Sequence, residues 1–168
     1  MMLLTLASFF EREHVCFPIL DEPSFRTRHT SSNEKISPAL LATLYAHTLV
    51  YWKSSPTLAS HHCPDNRFVW NLATEALFSE LHLSPGISTI IAILLNVGGR
   101  PLTYMIGNGV LLGSAISLAH ALGLNRDCWQ WSIDDAEKCL RTRIWWTLFV
   151  HDKWSAVRLC VCPQLTLA

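Results

Sequence analysis

The sequence predicts an all-α fold, built as an antiparallel stack or bundle of helices. Three observations carry this expectation. Apolar residues recur at helical spacing through most of the 168 residues. The breaks between these runs are short and hold Pro, Gly or Ser. No run alternates apolar with polar residues between hairpin turns. Short loops between long helices make neighbouring helices antiparallel. The length fits one domain with a sizeable buried core.

Taken in order, residues 1–10 form a short apolar run followed at once by Glu11, Arg12 and Glu13. Without a basic leading segment, this reads as an amphipathic first helix rather than a signal peptide. Ser37-Pro38 opens the next strong helix: Ser can accept from free N–H groups, and Pro loses nothing at the first helical position. Leu40, Leu41, Leu44, Tyr45, Thr48, Leu49 and Trp52 then form one stripe. Residues 54–66, with Pro56, His61, His62 and Pro64, read as a loop. A helix over about 67–81 should turn Val69, Ala73, Ala76, Leu77 and Leu81 inward.

Ser84-Pro85-Gly86 is a break, after which Ile87, Ile90, Ile91, Ile93, Leu94 and Leu95 make an almost fully apolar helix. Gly98-Gly99-Arg100-Pro101 stops it, because Pro101 disfavours helical geometry at Arg100. The following helix should span about 102–122 and end at Gly123, a left-handed C-cap. Residues 127–131 read as a polar-aromatic turn. Ser132 is then expected to cap the last helix, with Asp135 as capping-box partner. That helix carries Leu140, Ile144, Trp145, Leu148 and Phe149 along one side, with Glu137 and Arg141 paired on its solvent face.

Composition narrows the function. Apolar residues make up 50% of the chain and charged residues only 15%. That is below the usual charged share of about a quarter, and it argues against a solvated, disordered tail. Formal net charge is zero. A nucleic-acid-binding domain normally carries a basic excess to neutralise phosphates. Here the only dense basic cluster, Lys138, Arg141 and Arg143, is mixed with Asp134, Asp135 and Glu137, so direct DNA binding is not expected. The six cysteines (Cys16, Cys63, Cys128, Cys139, Cys160 and Cys162) are too dispersed for a disulfide framework or a binuclear zinc cluster.

Few motifs offer chemistry. Gly107-x-Gly109-x-x-x-Gly113 resembles a dinucleotide loop, but it sits inside a helical pattern rather than after a strand. Small residues on a tightly packed helix face are the simpler explanation. Residues 104–124 hold no charge and have the length of a membrane span. Asn108, Ser114, Ser117 and His120 weigh against insertion, and a central helix is also apolar all round. His61-His62-Cys63 reads as an exposed loop rather than a metal site. His120 and His151 read as core or rim residues. No nucleophile elbow or phosphate-cradling loop appears, and an enzyme is not expected.

The most distinctive cluster is Trp145-Trp146 with Arg141, Arg143, Asp152, Lys153 and Trp154. Adjacent helical residues point about 100° apart, so burying both tryptophans needs cover on two faces. An interhelical lock, with Arg and Asp152 linked to nearby loops, is the expectation. A ligand pocket lined by these residues is the alternative.

The run from Ala115 to Asp127, A-I-S-L-A-H-A-L-G-L-N-R-D, resembles a signature of the fungal-specific transcription factor domain, the middle homology region of binuclear zinc-cluster factors. Its Gly123, Leu124, Arg126 and Asp127 match the signature's end. Glu137-Lys138-x-Leu140-Arg141-x-Arg143-Ile144-Trp145-Trp146, followed by His151-Asp152, resembles the family's "E-K-x-x-R-x-R-x-W-W … D" helix. Gly99-Arg100-Pro101 is similar to an element that precedes these. Residues 14–25, from His14 through Pro18, Ile19 and Leu20 to Phe25, are similar to the family's opening. The xylanolytic-activator type of regulatory domain is the nearest description.

The resemblance implies a nuclear regulator of DNA-templated transcription with no catalytic residues. Its zinc would belong to an N-terminal cluster outside this chain, so no cofactor is expected here. Protein partners or a small effector are expected, with DNA reached only indirectly and no membrane. The domain is expected over residues 1–156. Residues 157–168 look unlike the family and are expected to be an atypical tail, from truncation or a gene-structure error. Two alternatives stand beside this reading: a non-functional or dominant-interfering fragment, and a small membrane or cofactor-binding helical protein.

Overall fold

Helix starts in this chain are set by short polar side chains that take up the free N–H groups of a first turn. In the computed structural model, which describes residues 6–31, 36–56, 58–99, 105–159 and 163–165, three such caps are formed. Asp21 accepts from Ser24 N at 3.0 Å and starts α1 (Glu22–Thr30). Ser37 accepts from Leu40 N at 3.1 Å and, with Pro38, starts α2 (Pro38–Thr48). Asp65 accepts from Phe68 N at 2.7 Å and starts α3 (Asn66–Leu83). The chain continues through α4 (Ile87–Gly99), α5 (Met105–Ala121) and α6 (Asp135–Leu159). The described residues contain helices and no strand, so the fold is all-α.

The chain divides into two compact units, Met1–Ser84 and Pro85–Ala168. In the first, α2 lies along α3. The Ser37 hydroxyl at the start of α2 donates to Glu80 near the end of α3 at 2.5 Å, which fixes the pair as antiparallel. Leu44, Ala46, Trp70, Ala73 and Leu77 are buried between and around them. The expected N-terminal helix is present as helical residues 6–8, a π-helical turn Phe9–Glu13 and the short segment His14–Cys16. It buries Phe9 and Phe10. Phe9 stands edge-on to His47 at 6.1 Å, and His47 edge-on to Trp70 at 5.2 Å, so one aromatic row links this segment, α2 and α3. The stripe expected to run to Trp52 tightens after Thr48 into a 3-10 turn, Leu49–Ser54. Trp52 is buried there and donates to the His61 carbonyl at 3.2 Å.

In the second unit, α4 is the interior helix: every residue from Thr89 to Asn96 is buried. It packs on both α5 and α6, and α5 packs on α6. A helix covered on several sides is apolar all round, and this run is apolar at every position from Ile90 to Leu95. No described helix is long and apolar enough to cross a membrane.

Some expectations need correcting. The last helix starts at Asp135, and Ser132 lies in the preceding bends, exposed. The S-x-x-D pattern sits two residues too early; Asp135 and Glu137 instead occupy the first turn, where acidic groups complement the helix dipole. Gly107 is not tightly packed: a Cβ there would meet nothing within 4 Å. Both Gly107 and Gly113 lie inside α5, which is not the strand-to-helix turn that a pyrophosphate loop requires. The start expected at residue 102 falls outside the described residues.

Candidate functional site

The C-terminal end of α5 sets up the site. A helix leaves its last four carbonyls without intrahelical partners. Gly123 adopts φ of 69° and turns the chain left-handed. Gly123 N then donates to the His120 carbonyl at 3.1 Å, and Leu124 N to the Ala119 carbonyl at 2.9 Å. These two bonds are the Schellman pattern, and both Leu124 and Ala119 are buried beneath it. Gly123 is needed for its conformation: a Cβ there would lie 3.5 Å from Trp131 Cη2, which is ordinary contact.

The Leu122 carbonyl, just past the end of α5, is taken by Arg141 of α6, whose Nη1 donates to it at 3.2 Å. The same guanidinium donates through Nε to Glu137 at 3.0 Å and lies 5.3 Å from the centre of the Trp131 ring. Arg141 is only 15% exposed at its side chain. The sequence pairing of Glu137 with Arg141 is therefore correct, but its placement on a solvent face is not. Arg141 is a clamp between α6, the end of α5 and the connecting loop. The loop is itself ordered locally: Trp131 N donates to the Cys128 carbonyl at 3.0 Å, and Asp127 accepts from Trp129 N at 3.0 Å. Cys128 is buried under it. Arg126 closes the turn with its backbone N–H on the Gly123 carbonyl at 3.1 Å.

One turn further along α6, Trp145 is half-buried and meets His120 of α5 edge-on at 5.5 Å. Arg143 is half-buried on the same helix. Trp146 departs from the expectation of a buried pair: it is 50% exposed and touches Phe149 of its own helix at 5.7 Å. Only one of two adjacent helical residues faces α5, as a spacing of about 100° dictates.

Asp152 forms a second site. It lies eleven residues beyond Arg141, about 16 Å along the helix. Its carboxylate is buried and accepts from Gln164 N at 3.1 Å and Leu165 N at 2.8 Å. Lys153 donates to the Leu165 carbonyl, and Leu165 is 2% exposed. Residues 164–165 are thereby fastened onto α6. The expected link from Asp152 to a loop is present, and its target is the C-terminal segment.

The motif residues thus separate into three places. Gly123, Leu124, Arg126, Asp127, Arg141 and Trp145 gather at the α5–α6 turn, Asp152 holds residues 164–165, and Trp146 faces outward. Arg100 and Pro101 lie outside the described residues. Sequence reasoning missed Trp131 as the platform under Arg141. The signal was available: a glycine C-cap leaves carbonyls to be satisfied, and an Arg close in space with an aromatic neighbour is a ready donor.

The chemistry of the arrangement is that of a fastening. Among the described residues no three His, Cys, Asp or Glu side chains are grouped to hold a metal ion. His61 and His62 are exposed, and the Cys63 thiol donates to the neighbouring Pro64 carbonyl at 3.5 Å. Burial pushes the His151 imidazole below its ordinary pKa and the Tyr45 phenol above its own.

The chain is similar to an uncharacterized transcriptional regulatory protein of Schizosaccharomyces pombe, with 36% identity over 147 residues, covering 87% of this chain and 22% of that protein. It is also similar to the transcriptional activator protein DAL81 of Saccharomyces cerevisiae, with 33% identity over 155 residues, covering 92% of this chain and 16% of that protein. The chain therefore spans less than a quarter of the length of these curated relatives. No solved structure matches it. The family profile of the fungal specific transcription factor domain matches residues 6–166. With the signature turn and the Trp-Trp helix inside that match, the chain belongs to the fungal specific transcription factor domain family.

Proposed function

We propose that this chain is a regulatory domain of a nuclear transcription regulator and that it works through contacts with protein or a small effector, not by reading DNA. The observation that carries this is how its charges are used. Glu137, Arg141 and Asp152, three of the charged residues of the family motifs, are engaged in bonds within the fold. The chain as a whole has zero net charge. A surface of that kind has little with which to neutralise phosphates. The relatives' names as transcriptional regulators support the regulatory and nuclear parts of the reading.

The test has two arms. Residues 1–168 are fused to a heterologous DNA-binding module, and reporter output is compared with that of the module alone. A change in either direction is expected, and no change would remove the regulatory reading. The isolated chain is also titrated against duplex DNA at low salt by fluorescence anisotropy. No saturable binding is expected. Binding that weakens steeply with salt would make the domain a DNA reader after all.

A further inference from the structure

The outer face of α6 has the opposite character to its inner face. Ile144, Leu148, Asp152 and Ala156 are buried. Between residues 143 and 157 the exposed positions are Trp146, Val150, Trp154 and Val157, and all four are apolar. A surface helix normally places charged and polar residues there. The four are spaced i, i+4, i+8 and i+11, which makes one stripe about 16 Å long. Lys153, beside it, is turned to the Phe149 ring at 4.7 Å and to the Leu165 carbonyl, so it does not break the stripe with a free charge.

We propose that this stripe pairs with the same stripe of a second copy, as an antiparallel α6–α6 contact. Three observations favour that occupant. A two-fold axis through Val150 lays Trp146 on the partner's Trp154 and Trp154 on the partner's Trp146, so the three central positions are their own complement, with Val157 at the end of the stripe, as a closed two-fold interface requires. Two copies of a chain with zero net charge bring no long-range repulsion. The area also fits. Trp146 is 50% exposed, Val150 48%, Trp154 68% and Val157 76%. Taking about 250 Å² for a whole tryptophan, the stripe offers roughly 450 Å² per copy. Two copies bury about 900 Å² from these side chains, within the range of weak, transient encounters and below the roughly 1,200 Å² of a stable interface. The pairing is therefore weak and concentration-dependent.

Sedimentation of the 168-residue chain from about 1 to 200 μM tests it, a range that brackets a micromolar dissociation constant. The mass is expected to rise from one chain to two. Trp146→Glu and Trp154→Lys should each weaken association by about tenfold or more, as loss of a central aromatic does, with the helical circular dichroism unchanged. An equimolar mixture of the two variants should associate better than either alone. The antiparallel register sets the introduced carboxylate of one variant against the introduced ammonium of the other and keeps one Trp–Trp contact. A single-chain mass across the whole range would overturn the proposal and leave the stripe to another partner or to another part of the polypeptide. A mixture no better than its components would overturn the antiparallel pairing.

Discussion

Two buried polar sites in the same unit behave in opposite ways. At the α5–α6 turn, Arg141 makes two hydrogen bonds and an aromatic contact, and the carbonyl it serves would otherwise be left at a helix end. In the last turn of α4, Asn96 is fully buried, and among the described residues neither its amide nitrogen nor its oxygen has a partner. Both are polar groups in an apolar setting, yet one is a fastening and the other a cost. The difference teaches that a buried polar group stabilises only when the fold brings complementary atoms to it. Leaving it unmatched costs about 1–3 kcal/mol.

The largest effect is expected at the other satisfied site. Asp152→Ala removes a buried acceptor of two backbone N–H groups and should destabilise by about 2–4 kcal/mol in a denaturant melt. Asp152→Asn keeps one acceptor and should lose less. Arg141→Leu comes next, at about 1.5–3 kcal/mol, because it strands the Leu122 carbonyl and removes the contact with Trp131. Arg141→Lys should recover only part, since an ammonium cannot serve three partners in a fixed fork. Asn96→Leu should move stability the other way, by about 1 kcal/mol, since an apolar side chain of similar size suits the site. A loss of that size instead would mean that Asn96 is matched in solution and would end the contrast.

The smallest effect is a pH dependence. Burial lowers the pKa of His151, so the fold favours its neutral form. The unfolded chain takes up this proton first, near the ordinary value of about 6.5. Stability should therefore fall as pH drops below that value, until the lower folded pKa is passed, and His151→Gln should flatten this part of the profile. Thermal melts of both proteins between neutral and mildly acidic pH check it.

Much of the fold was legible in the sequence, wherever local rules act alone. Ser37-Pro38 and Gly123 each determine a helix end through their own backbone and side-chain chemistry, and both ends fall where that chemistry places them. The break at residues 84–86 is equally local. Ser132 misled because a capping box needs only four residues to match by pattern, while the helix start is decided by the acidic turn that follows. Asp65 was hidden in a stretch that reads as loop. The roles of Arg141 and Trp131 were only half legible. Spacing pairs Arg141 with Glu137, but the contacts with Leu122 and Trp131 depend on how α6 meets the end of α5. Likewise, Trp145-Trp146 looks like one feature in sequence and is two in space, one facing His120 and one facing out. Asn96 passed unnoticed because one amide barely alters an apolar run.

The central claim is that the motif residues at the α5–α6 turn act as one lock. A double-mutant cycle between Arg141→Leu and Trp131→Ala, followed by denaturant unfolding, tests it most directly. The account predicts that the two losses overlap, with a coupling of about 1 kcal/mol, since each removes the same contact. Losses that add to within about 0.3 kcal/mol would show that the two residues act independently, and the lock would be only a set of neighbours.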